Sequence, residues 1–170
     1  AGDPKLKGTA AKVASVITNA RILNHDSSVV VLSDAAGAVV QAADLKNINA
    51  ATDKNVAINA GVVLSGAIAD VNAALAGKAA NTTAATNGIH GMGANNVVIT
   101  DLVVDHSTLD TLTSNDGNGG TSPLTSGNIT VLSSSITGTG VETDALIDLF
   151  AANAKWSGLE DINVTITGTD

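Results

Sequence analysis

Apolar residues along this chain come in short blocks separated by small and hydroxyl-bearing residues. Val29–Leu32, Val56–Leu64, Val97–Thr100 and Ile129–Ile136 are rich in Val and Ile, and that β-branched character predicts strands. Ala42–Ile48, Ala67–Ala76, Ser107–Leu112 and Val141–Ala154 carry apolar residues at helical spacing. In the last of these, Val141, Ala145, Leu146, Leu149 and Phe150 share one side of the helical wheel. Thr143 and Asp144 suit its early turn, after a corner marked by Gly138 and Gly140. Lys12–Leu23 places Val13, Val16, Ile17, Ala20 and Leu23 on one face, which predicts a helix ahead of the first strand. Ile162–Thr167 predicts a closing strand. Strands alternating with short helices predict parallel pairing, because the helix is the crossover.

The blocks recur. Val30-Val31-Leu32-Ser33-Asp34 is matched by Val97-Val98-Ile99-Thr100-Asp101, and Val39–Ile48 by Val103–Leu112. Asn55-Val56-Ala57-Ile58 is matched by Asn128-Ile129-Thr130-Val131, and Leu64-Ser65-Gly66 by Ile136-Thr137-Gly138. Ile166-Thr167-Gly168-Thr169 repeats Ile136-Thr137-Gly138-Thr139 outright. Such self-similarity predicts a duplicated unit, and hence an α/β repeat stack (solenoid-like) of parallel strands with short helices in a single domain. Its parts are an N-terminal helical cap over 1–27, a first unit over 28–80, a second over 95–156 and a closing strand over 157–170. Asn81–Asn96 and Thr113–Gly127, dense in Gly, Asn, Thr and Ser, read as loops.

Composition narrows the chemistry. Of 170 residues 44% are hydrophobic and only 1% aromatic, so the core must be built from Val, Ile, Leu and Ala in thin, closely packed layers. Sixteen acidic residues against eight basic ones leave no basic stripe for a nucleic-acid backbone. The absence of cysteine removes disulfide scaffolds, thiolate zinc sites and thiol nucleophiles. No run of 18 apolar residues exists, so no membrane insertion is expected, and Ala1-Gly2-Asp3-Pro4-Lys5 has no apolar core of a signal peptide. Acidity is almost all aspartate, with Asp44, Asp70, Asp110 and Asp144 expected near helix starts, where they oppose the macrodipole favourably.

The string Ala42-Ala43-Asp44-Leu45-Lys46-Asn47-Ile48-Asn49-Ala50-Ala51-Thr52, with Val63-Leu64-Ser65-Gly66 and Ile136-Thr137-Gly138-Thr139, resembles a tandem repeat. That repeat occurs in large cell-surface and surface-layer-type proteins of cyanobacteria, and similar sequences occur in virion surface proteins of marine cyanobacterial phages. Lys46 departs from the asparagine usual there. The resemblance covers roughly Val29 to Thr169. It implies a non-enzymatic structural role and transfers no catalytic residue.

Candidate chemistry is sparse. His25, His90 and His106 lie among many Ser and Asp residues, but His25-Asp26-Ser27 are neighbours in sequence, which rarely converge in space, and no Gly-x-Ser-x-Gly elbow exists. Gly88-Ile89-His90-Gly91-Met92-Gly93 lacks the glycine spacing of a dinucleotide loop and reads as a flexible turn. Calcium is the one cofactor kept open, with Asp116 and Asn118 as oxygen ligands in Asn115–Gly120; the EF-hand pattern fails because Gly127 stands where its glutamate belongs. Lys5, Lys7 and Lys12 at one end, and Ile162, Val164 and Ile166 at the other, are the candidate assembly contacts. The expectation is a homo-oligomer among other structural proteins of a capsid or surface lattice. It would sit on a virion surface or, alternatively, on a cell surface as a secreted surface-layer or adhesin module.

Overall fold

A computed structural model describes residues 5–19, 27–78, 88–114, 125–142, 144, 155–160 and 162–168. In chain order the elements are β1 (Lys5–Gly8), α1 (Ala10–Ile17), β2 (Val29–Leu32), β3 (Val39–Gln41), α2 (Ala42–Ala51), β4 (Asn55–Ala57), β5 (Val63–Gly66) and α3 (Ile68–Ala76). There follow β6 (Gly88–His90), β7 (Asn96–Ile99), β8 (Val103–Asp105), α4 (His106–Ser114), β9 (Ile129–Val131), β10 (Ser135–Gly138), β11 (Trp156–Ser157) and β12 (Asn163–Ile166). They form three sheets, ordered β1-β2-β4-β6, β3-β5-β7-β9-β11 and β8-β10-β12, and every pairing is parallel. The protein is thus a mixed α/β structure of parallel sheets and short helices, and among the described residues no sheet closes into a barrel.

Why aliphatic residues suffice is visible in the ladders. Leu6, Val30, Val56 and Ile89 stand opposite one another across the first sheet. Val40, Leu64, Val97, Ile129 and Trp156 do so across the second, and Val104, Ile136 and Val164 across the third. Neighbouring parallel strands lie about 4.8 Å apart, so stacked Val, Ile and Leu side chains touch without bulky rings. These stripes are buried except at Leu6, Trp156 and Val164, the terminal members. Against them pack Val13 and Ile17 of α1, Leu45 and Ile48 of α2, Val71 and Leu75 of α3, and Leu109 and Leu112 of α4. Among the described residues no helix is long and apolar enough to cross a membrane.

Blocks matched in sequence stand in matched ladder positions. Val30 faces Val56 and Val31 faces Ala57; correspondingly, Val97 faces Ile129 and Val98 faces Thr130. Val39, Val40 and Gln41 face Val63, Leu64 and Ser65, just as Val103, Val104 and Asp105 face Ser135, Ile136 and Thr137. A slip of one residue would turn each apolar stripe outward, so the shared register is enforced by burial. β2, β7 and β12 begin at 29, 96 and 163, a constant step of 67 residues.

Several expectations need correction. Val56–Leu64 is two strands, because Asn59 turns the chain: its carbonyl accepts the Val62 N–H at 3.2 Å and its Oδ1 the Gly61 N–H at 2.9 Å. Ile129–Ile136 is likewise divided at Leu132–Ser134. Among the described residues a helical cap at the N-terminus is not evident. A strand, β1, precedes α1, and α1 runs Ala10–Ile17 rather than Lys12–Leu23, with Ala20 and Leu23 outside the described residues. Gly88–His90 is a strand inside the segment read as a loop and a flexible turn. Backbone at 140–142 is helical, while 145–154 of the fourth expected helix lie outside the described residues.

Candidate functional site

The polar residues that dominate the corners are committed to backbone. The Ala10 N–H at the start of α1 donates to Asp34 Oδ2 at 2.8 Å, and the Ile68 N–H at the start of α3 donates to Asp101 Oδ2 at 2.6 Å. Asp34 and Asp101 are matched positions, each following a strand that pairs with the one before the capped helix. A carboxylate there satisfies an orphan helix N–H and opposes the macrodipole. These caps differ from the expected ones. Asp44 and Asp70 lie in first turns, but Asp70 pairs with Lys46 of the neighbouring helix, and Asp110 falls in the middle of α4. Side chains 42% and 26% exposed make the Lys46–Asp70 pair worth at most about 1 kcal/mol.

Two buried threonines form a second matched pair. Thr52 Oγ1 donates to Ser28 O at 2.7 Å and accepts the Lys54 N–H at 3.1 Å. Thr125 Oγ1 donates to Asn95 O at 2.6 Å and accepts the Gly127 N–H at 3.0 Å. Asn95, 1% exposed, donates from Nδ2 to Ala60 O at 3.0 Å and Val62 O at 3.1 Å, and its Oδ1 accepts the Gly93 N–H at 3.3 Å. Each bond ties one turn to the strand ends beside it, which is what freed backbone groups require.

The helical turn at 140–142 begins differently, since the residue matching Asp34 and Asp101 there is Gly168. Thr139 and Glu142 form a capping box instead: the Thr139 N–H donates to Glu142 Oε2 at 2.8 Å and the Glu142 N–H to Thr139 Oγ1 at 3.3 Å. The Thr139 backbone N–H, then its side chain, hold the Glu142 carboxyl below its ordinary value of 4.5. A folded pKa below the unfolded one means that the stabilisation is present above the unfolded value and is lost as pH falls through the folded one. The Thr139 amide resonance is therefore expected to titrate with a depressed midpoint, and in Glu142→Gln that titration should vanish.

Among the described residues, the predicted chemical residues do not assemble. His25, Asp116 and Asn118 lie outside the described residues, and so does the calcium reading that rests on the last two. His90 sits on β6, and its carbonyl accepts the Ile58 N–H. His106 opens α4, 9% exposed, with Nδ1 unbonded and Glu142 close enough for electrostatic interaction. Among the described residues no three His, Asp or Glu side chains converge on a point that could hold a metal. A groove of about 280 Å³ on the outward face of the second sheet is lined by Asn96, Asn128, Thr130, Lys155 and Ser157. Its polar groups bond within the sheet, as in Asn128 N–H to Asn96 Oδ1 at 2.9 Å and Thr130 Oγ1 to Ser157 Oγ at 3.0 Å.

The candidate assembly residues stand at the two ends. Lys5, Lys7 and Lys12 are exposed on β1 and α1, and Val164 and Ile166 are exposed on β12, while Ile162 is half-buried against the core. Missed in the sequence are the outward Leu102, Val103, Leu132 and Val141, all more than half exposed. Apolar residues on strand ends read as core unless the missing neighbour is known. Comparison with protein-family models, characterised proteins and solved structures gives no match to this chain.

Proposed function

We propose that the chain is a repeat stack acting as a non-enzymatic structural subunit that coats or decorates a larger assembly, a virion surface in the first instance. What carries this reading is the repeated hydrogen-bond set at the corners: Asp34 with Asp101, and Thr52 with Thr125, each spent on backbone at matched positions. These side chains bond to the backbone of the adjoining turns and strand ends, as neighbouring repeats of a stack require. The second reading, a secreted cell-surface or surface-layer module, is favoured by the constant 67-residue step of β2, β7 and β12, which a longer tandem array would extend. Quantitative mass spectrometry of purified virions and of the cell-surface fraction tests both. Stoichiometric recovery with virions supports the first, and recovery with the cell envelope supports the second. Recovery in neither, with the chain free in solution, would remove the structural role.

A further inference from the structure

We propose that β12 of one copy pairs in parallel with β1 of a second copy, joining copies head to tail; the inference rests on the repeat-stack reading and names its partner. By ladder position β12 corresponds to β2 and β7, and β1 to β5 and β10. In the interior Val30 and Val97 are fully buried, as is Ile99, and Leu32 is nearly so. Their counterparts Val164 and Ile166 are 46% and 62% exposed. Both lie on the inward face, since Val164 stands opposite the buried Ile136. What they lack is the next strand, and among the described residues none pairs with the outer edge of β12.

The opposite end has the complementary defect. Between β1 and α1 lies a depression of about 120 Å³ whose apolar lining is Leu6, Val13 and Val16, with Lys7 and Lys12 beside it. Val16 is 39% exposed, whereas Ala74, its counterpart on α3, is fully buried. Setting Leu6 of the second copy opposite Val164 would continue the stripe Val104-Ile136-Val164 into Leu6-Val30-Val56-Ile89. Charge chooses a second copy in this orientation. Lys5 and Lys7 lie on β1 and Lys12 on α1, while Glu160 lies three residues before β12 and Glu142 stands beside Gly138, the ladder partner of Ile166. Pairing β12 with another β12 would set acid against acid and run the strands antiparallel, unlike the ladders among the described residues. A contact between two different edges is heterologous, so copies add head to tail, into a ring if the rotation closes and a row if it does not.

Sedimentation velocity of the whole chain tests this. The average mass should rise with concentration and fall with added salt. Val164→Asp and Leu6→Asp should each be monomeric, yet an equimolar mixture, which keeps one intact edge of each kind, should give dimers and nothing longer. Ile166→Lys replaces Val164→Asp if circular dichroism shows that variant unfolded. A parent chain that stays monomeric at every concentration, a single variant that still associates, or a mixture without dimers overturns the contact. That failure would leave the coat-subunit reading standing, because recovery from virions or envelopes decides it separately.

Discussion

Gly91→Ala is expected to destabilise the protein by about 2–5 kcal/mol, combining backbone strain with overpacking. Gly91 follows β6 with φ +94°, and a Cβ there would lie 2.0 Å from the carbonyl oxygen of Ile58, just past the end of the adjacent strand β4. Neither partner can yield, because that strand end is held by the Ile58 N–H bond to His90 O at 2.9 Å. Gly37→Ala is the matched control: its φ is +80°, but nothing lies within 4 Å of the added carbon. It should cost only the left-handed strain, about 1–2 kcal/mol. Urea unfolding midpoints of the two variants separate close approach from conformational freedom. At the matched position beyond β11, Gly158 has φ +83° and its Cβ would meet Val131 O at 2.2 Å, so Gly158→Ala should also destabilise.

Asn95→Ala should cost about 1–3 kcal/mol, because the buried Val62 O and the part-buried Ala60 O both lose their donor. Asn95→Asp gives a sharper reading. Ionised, its carboxylate can only accept, and it would face those same two carbonyls. Burial and repulsion raise its folded pKa above the unfolded value, so the variant should gain stability as pH falls, opposite to the Glu142 cap. Chemical denaturation at neutral and mildly acid pH checks the sign. A variant as stable as the parent at both would mean that Asn95 does not bridge these layers.

Much of the layout was legible in the residues, and the reasons for the misses are physical. Val29–Leu32 and Val97–Thr100 stood out because a strand buried on its inward face concentrates β-branched residues. The helices α2, α3 and α4 were found to within a few residues from spacing alone. β1 escaped because Lys-Leu-Lys-Gly carries one apolar side chain, and β3 and β8 because each runs directly into a helix. The caps escaped for another reason. Asp34 and Asp101 lie 24 and 33 residues from the N–H groups they accept, whereas a sequence search looks within a turn. Long-range caps become visible only once the parallel register is known.

The account stands on two halves sharing one register, and interstrand nuclear Overhauser contacts read that register directly. Backbone and methyl cross-peaks should join Val30 to Val56 and Val97 to Ile129, with Val40 to Leu64 and Val104 to Ile136 completing the match. Cross-peaks displaced by a residue in the second half, or pairs there that never meet, would contradict it.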